Sequence, residues 1–128
     1  NKPFASQTVL HWFRRQDLLS LFLCGPVIME QIYGAERFFD RTGSDRHLKI
    51  VDRLSSEFRN RILVFDNSAA SVAGKIRAKR DAIGRPISVQ DAMIGAICLV
   101  HGATLATRNA RDFEGIGLKL VNPFEEST

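Results

Sequence analysis

Residues 88–113 read SVQDAMIGAICLVHGATLATRNARDF, and the fold is decided here. Ser88 and Asp91 stand at the spacing of a capping box, with Asp in the acidic position in place of Glu or Gln. The segment that follows, from Asp91 to His101, is apolar nearly all round, which predicts a helix buried on several sides. Gly102 stops it. Residues 103–107 then read as a short strand and residues 108–115 as a polar turn. A buried helix feeding a short apolar strand is half of a parallel-sheet unit.

The same alternation runs outward from this stretch. Residues 8–16 place Val9, Trp12 and Phe13 at helical spacing. Residues 18–24 form a short apolar run closed by Gly25-Pro26, which predicts a strand. Pro26 then suits the first position of a helix, where the amide it lacks would be unpaired anyway. Ile28, Ile32, Ala35 and Phe39 fall on one face of that helix, and Ile50, Val51, Leu54 and Phe58 on one face of the next. Residues 62–65 read as a strand. Asn67 or Ser68 is the expected cap of a helix with a core face of Ala69, Val72, Ala73 and Ile76, ending near Gly84. Residues 118–121 are a last strand. Helices alternating with short apolar strands predict an α/β protein with a mostly parallel sheet covered by helices.

The 128 residues are read as one domain, with 45% hydrophobic and 25% charged residues. That composition excludes a disordered or fibrous chain. No apolar run approaches the length of a membrane span. Cys24 and Cys98 lie in apolar surroundings and are expected to be buried free thiols in a reducing cytoplasm. The net charge of +4 permits a polyanionic partner without requiring one. Its arginine-rich run, Lys75, Arg77, Lys79, Arg80 and Arg85, reads as a phosphate-facing patch or simply as a solvated helix face.

Open parallel sheets bind ligands at the carboxyl ends of their strands. Helices of right-handed crossovers begin on that same edge, so Glu30, Asp91, and Asn109 with Asp112 are expected to converge there. Oxygen ligands from separate segments suit a hard cation such as Mg²⁺ or Mn²⁺. Such a cation can orient water and neutralise charge on a phosphodiester undergoing hydrolysis.

The ordered set of segments resembles a known family. Residues 91–96 (DAMIGA) with 103–113 (ATLATRNARDF) resemble the C-terminal signature of PIN-domain nucleases, most like the VapC/FitB toxins of bacterial toxin–antitoxin pairs. Residues 26–36 (PVIMEQIYGAE) resemble their second motif, 61–66 (RILVFD) the strand that enters the next helix, and 120–124 (LVNPF) the closing strand. The resemblance covers essentially the whole chain. It implies a three-layer α/β/α sandwich with a central, mostly parallel sheet, and an Mg²⁺- or Mn²⁺-dependent endoribonuclease. Carried over by position, Glu30 and Asp91 are the second and third acids and metal ligands. The fourth position falls on Asn109, an amide, and Asp112 either supplies the missing charge or caps the turn. Thr107 is placed to orient a water or phosphate, and Arg108 either faces RNA or pairs with Asp112. The family's first strand, with its Asp, has no counterpart before Glu30, so we expect about a dozen residues to be missing from the chain as written.

The implied function is a plasmid-stability-type toxin that cleaves RNA and is silenced by a cognate antitoxin. The family pattern adds a homodimer, and operator DNA reached only through the antitoxin. The alternative is a catalytically degenerate PIN-like domain that binds antitoxin or RNA without cutting. A phosphotransfer receiver module also clusters acids at strand ends, but no strand-end Asp with a suitably placed downstream Lys is found.

Overall fold

The structure, a computed structural model, describes residues 14–125. The expected helix over residues 8–16 lies largely outside them. The chain divides into two compact units, Phe22–Phe65 and the residues on either side of it.

In the Phe22–Phe65 unit, β1 (Leu23–Cys24) leads directly into α1 (Gly25–Thr42), with Pro26 buried in its first turn. α2 (Arg46–Glu57) packs back on α1 and is followed by β2 (Ile62–Leu63), parallel to β1 with Leu23 opposite Ile62. The reversal between the helices uses Gly43 at φ 74°, a conformation that glycine adopts without a Cβ penalty. Phe38 holds the two helices together. Its ring meets the His47 ring edge-on at 4.2 Å, and the guanidiniums of Arg41 and Arg46 lie over it at 5.7 and 5.3 Å. The expected apolar stripe of α1 is only partly covered: Ala35 is buried, but Ile32 and Phe39 remain 44% and 41% exposed.

The other unit is built on α3 (Asn67–Ala82) packed against α4 (Val89–His101). The buried positions of α3 are Ala69, Ala73, Ile76 and Arg80, one stripe at helical spacing. α4 buries Ala92, Ile94, Gly95, Ala96, Ile97 and Cys98, so the expectation of burial on several sides holds. Gly102 ends α4 at φ 65°, and the Ala103 amide returns to the Cys98 carbonyl at 2.8 Å. β3 (Leu105–Ala106) and β4 (Leu120–Val121) pair in parallel, with a 3₁₀ turn over Ala110–Phe113 between them.

Strand pairing therefore runs in two parallel two-stranded ladders among the described residues, β1 with β2 and β3 with β4. Each strand is shorter than its apolar run. For the run at 18–24 the cause is local. The Asp17 carboxylate accepts the Leu19 amide at 3.1 Å, and its carbonyl accepts the Ser20 amide at 2.8 Å, which draws Leu18–Ser20 into a 3₁₀ turn. The cap of α3 also differs from expectation. Asp66, not Asn67 or Ser68, is the N-cap: it is the last extended residue, and its carboxylate accepts the Ala69 amide at 3.0 Å.

Cys24 and Cys98 are both buried thiols outside any disulfide, as their apolar surroundings predict. Burial pushes the Cys24 thiol above its ordinary value, and a hydrogen bond with the Val27 backbone only partly offsets this. The folded state therefore keeps this proton longer than the unfolded chain. Above the unfolded thiol's pKa of about 8.5, stability should fall with rising pH. Near neutral pH Ellman's reagent should label the native thiols slowly and both at once after denaturation; rapid native labelling would contradict the burial. Asp66→Ala should cost about 1 kcal/mol in urea unfolding by loss of the cap.

Candidate active site

The candidate residues fall on both units. Glu30 lies on α1 in the Phe22–Phe65 unit, exposed. Asp91, Thr107, Arg108, Asn109 and Asp112 all belong to the other unit.

Asp91 sits in the first turn of α4. The Ser88 hydroxyl caps that helix, accepting the Asp91 amide at 3.0 Å. The Asp91 carboxylate makes no hydrogen bond or ion pair among the described residues. The capping box is therefore half-formed, and the carboxylate is left available. An acid in this turn is also favoured by the helix dipole.

Gly95 lies one turn on from Asp91, on the same helix face. A Cβ at this glycine would stand 3.1 Å from Ile116 Cδ1, 3.7 Å from Phe113 Cδ1 and 3.9 Å from Leu118 Cδ2. The absence of a side chain here lets the segment after β3 settle on α4, with Phe113 4% exposed. The turn that carries Asp112 thus docks on the face of α4 that carries Asp91.

That turn is closed by its own hydrogen bonds. The Thr107 hydroxyl accepts the Asn109 amide at 3.1 Å, and the Asn109 carbonyl accepts the Asp112 amide at 3.0 Å. Thr107 shapes the backbone here, while its own amide pairs with Val121 at 2.9 Å. Because β3 and β4 are parallel, their carboxyl ends share an edge, and the side chains there meet. Asn122 Nδ2 donates to the Arg108 carbonyl at 3.2 Å, and the Arg108 guanidinium lies 4.0 Å from the centre of the Phe124 ring. Arg108 therefore stacks on Phe124, and no Arg108–Asp112 pair forms. Asp112 is exposed and its carboxylate is unpaired among the described residues.

Asp91 and Asp112 are carboxylates, and Asn109 adds an amide oxygen. Such a donor set suits Mg²⁺, which binds through one or two carboxylates and keeps several waters. No group of three or more His, Cys, Asp or Glu that could hold a metal is gathered among the described residues. An open concavity along α2, lined by Lys49, Asp52, Arg53, Ser56 and Glu57, shares no residue with this set.

A PIN domain model matches residues 3–118. The chain belongs to the PIN domain family. The plasmid stability protein StbB of Pseudomonas syringae pv. tomato is 33% identical over 118 residues, covering 91% of this chain and 85% of that protein. VapC ribonuclease Y4jK of Sinorhizobium fredii is 28% identical over 97% of this chain and 89% of its own length. The solved structure of FitAB bound to an IR36 DNA fragment matches the fold with a TM-score of 0.87, covering 99% of this chain and 90% of that one at 23% identity. The expected PIN-like α/β fold therefore holds.

Three features of this PIN domain differ from, or add to, what the sequence predicts. Asp66 is a cap, Gly95 is a contact point, and Arg80 is buried within a basic run. The closeness at Gly95 gives a test. Gly95→Ala places its Cβ against the movable tip of Ile116 and should change stability by less than about 1 kcal/mol, whereas Gly95→Leu should cost about 1–3 kcal/mol by overpacking. Equal urea midpoints for Gly95→Leu and wild type would mean that the segment does not rest on the helix as described.

Proposed function

We propose that this PIN domain is the ribonuclease toxin of a toxin–antitoxin pair, hydrolysing RNA phosphodiester bonds at the acidic edge. One observation supports the reading above the others. The Asp91 carboxylate is spared from capping by Ser88 and stands on the helix face where the Asp112 turn docks. The name of the Sinorhizobium relative, a ribonuclease, agrees with it.

From their positions in the family's motifs we assign Glu30 and Asp91 as ligands of Mg²⁺ or Mn²⁺, directly or through water, and Asn109 and Asp112 as the further catalytic positions. The bound cation would supply charge neutralisation at the scissile phosphate and a more acidic water. Asp91 and Asp112 contribute negative charge, and Asn109 an oxygen without charge. Thr107 fixes the backbone of the turn. Arg108, flattened on Phe124, keeps its positive charge at the sheet edge where an RNA phosphate would lie. Unpaired loops or single strands are the fitting substrate, because the deep groove of A-form RNA hides its bases.

We assign the two units to one PIN domain over residues 1–128, since a single family match runs through both. The partners we infer are RNA, a cognate antitoxin and a second copy of the chain, with operator DNA reached through the antitoxin. The proposed setting is the cytoplasm. No helix among the described residues is long and apolar enough to cross a membrane.

A second reading has its own observation: an amide occupies the fourth position, and no three carboxylates are gathered among the described residues. It is a PIN domain that binds antitoxin or RNA without cutting. Cleavage of a labelled RNA in Mg²⁺ or Mn²⁺ separates the two. Under the nuclease reading EDTA stops cleavage, and Asp91→Asn lowers it by about a hundredfold or more with unchanged circular dichroism. Undiminished cleavage by Asp91→Asn would remove Asp91 from the site. RNA binding by a wild type that never cleaves would establish the second reading.

A further inference from the structure

Arg80 is a buried charged residue, 5% exposed, at the last place of the stripe that α3 turns toward α4. An apolar residue would continue Ala69, Ala73 and Ile76 more naturally, and burying a guanidinium is costly. No carboxylate pairs with it among the described residues. Its donors go instead to two backbone carbonyls. Nε donates to the Arg85 carbonyl at 2.6 Å, and Nη1 donates to the Asp112 carbonyl at 3.1 Å.

One carbonyl precedes α4 in the chain and the other lies in the turn that carries Asp112. Arg85 belongs to the loop that enters α4, whose first turn holds Asp91. Asp112 belongs to the turn that docks beside that face. A planar guanidinium can hold two such acceptors in fixed geometry, which the single ammonium of lysine does not do. Arg80 takes only the Asp112 carbonyl, and the Asp112 carboxylate is unpaired among the described residues.

We propose that Arg80 is a positioning residue of the acidic site. It joins the Asp91 helix entry to the Asp112 turn, so that both carboxylates are presented to the same divalent cation. This rests on the ribonuclease reading for the use of the cation, but not for the geometry.

The test is a double-mutant cycle on the full chain with Mn²⁺ as probe. Mn²⁺ affinity is measured by titration, with RNA cleavage alongside, for wild type, R80M, R80K, D112N and the combined variants. R80M and R80K should each weaken Mn²⁺ binding about tenfold, the scale of a lost outer-shell partner. In the D112N background the same changes should have little further effect, because the carboxylate they position is already gone. Equal losses in both backgrounds, or unchanged Mn²⁺ affinity in R80M, would overturn the proposal.

If the Arg80 variants do not fold, the wild type still decides. Mn²⁺ should broaden the backbone amide resonances of both Asp91 and Asp112, and broadening confined to Asp91 would refute it. Mn²⁺ binding with the Arg80–Asp112 coupling but no RNA cleavage would sink the nuclease reading and leave this one standing. Cleavage without the coupling would do the reverse.

Discussion

A Cβ at position 95 would stand 3.1 Å from Ile116, and the rest of the candidate site follows from the missing one. Glycine in a helix interior costs roughly 0.5–1 kcal/mol relative to alanine. Here the cost is offset by what comes to rest on the gap. Phe113 is buried against α4, and Ile116 and Leu118 close over the same spot. Phe113 is the last residue of the 3₁₀ turn that includes Asp112. An apolar contact thus places a polar residue. The carboxylate of Asp112 is brought to α4 not by attraction to anything there but because its neighbour is hydrophobic.

Much of this was legible in the sequence. The helix from 89 to 101, its Ser88 cap and its Gly102 stop follow from local rules that depend on few residues. The acids at 30, 91 and 112 were visible as residues on segments expected at strand ends. What the sequence could not show was the competition between neighbours for the same hydrogen bonds. Asp66 outcompetes Asn67 and Ser68 for the cap because it is the last residue in extended conformation. Asp17 takes the amide of Leu19, and the run expected as one strand begins as a 3₁₀ turn. Apolar periodicity locates an element but does not say where a side-chain oxygen will cut it short.

The basic run from Lys75 to Arg85 shows a different limit. Read as charge, its members are equivalent. In the fold Lys75, Arg77, Lys79 and Arg85 are exposed, while Arg80 turns inward with the buried stripe. Only helical phase separates them: 80 follows 69, 73 and 76, and 77 and 79 do not. Four of the charges remain available to solvent or a polyanion, and the fifth acts inside the protein.

The same distinction bears on how the acidic edge keeps its charge. Asp112 has Arg111 beside it and Arg108 four residues earlier, either of which would neutralise it in a simple surface pair. Neither does so among the described residues. Arg108 is held on Phe124, in a segment whose Asn122 side chain also grips the Arg108 carbonyl. Arg80 reaches Asp112 but bonds its carbonyl, leaving the carboxylate untouched. Asn109, in turn, opens the 3₁₀ turn, its backbone amide donating to the Thr107 hydroxyl while its side chain makes no cap hydrogen bond. Arg108 and Arg80 are thus engaged by a ring and by backbone carbonyls, and the carboxylates of Asp91 and Asp112 are left unpaired among the described residues.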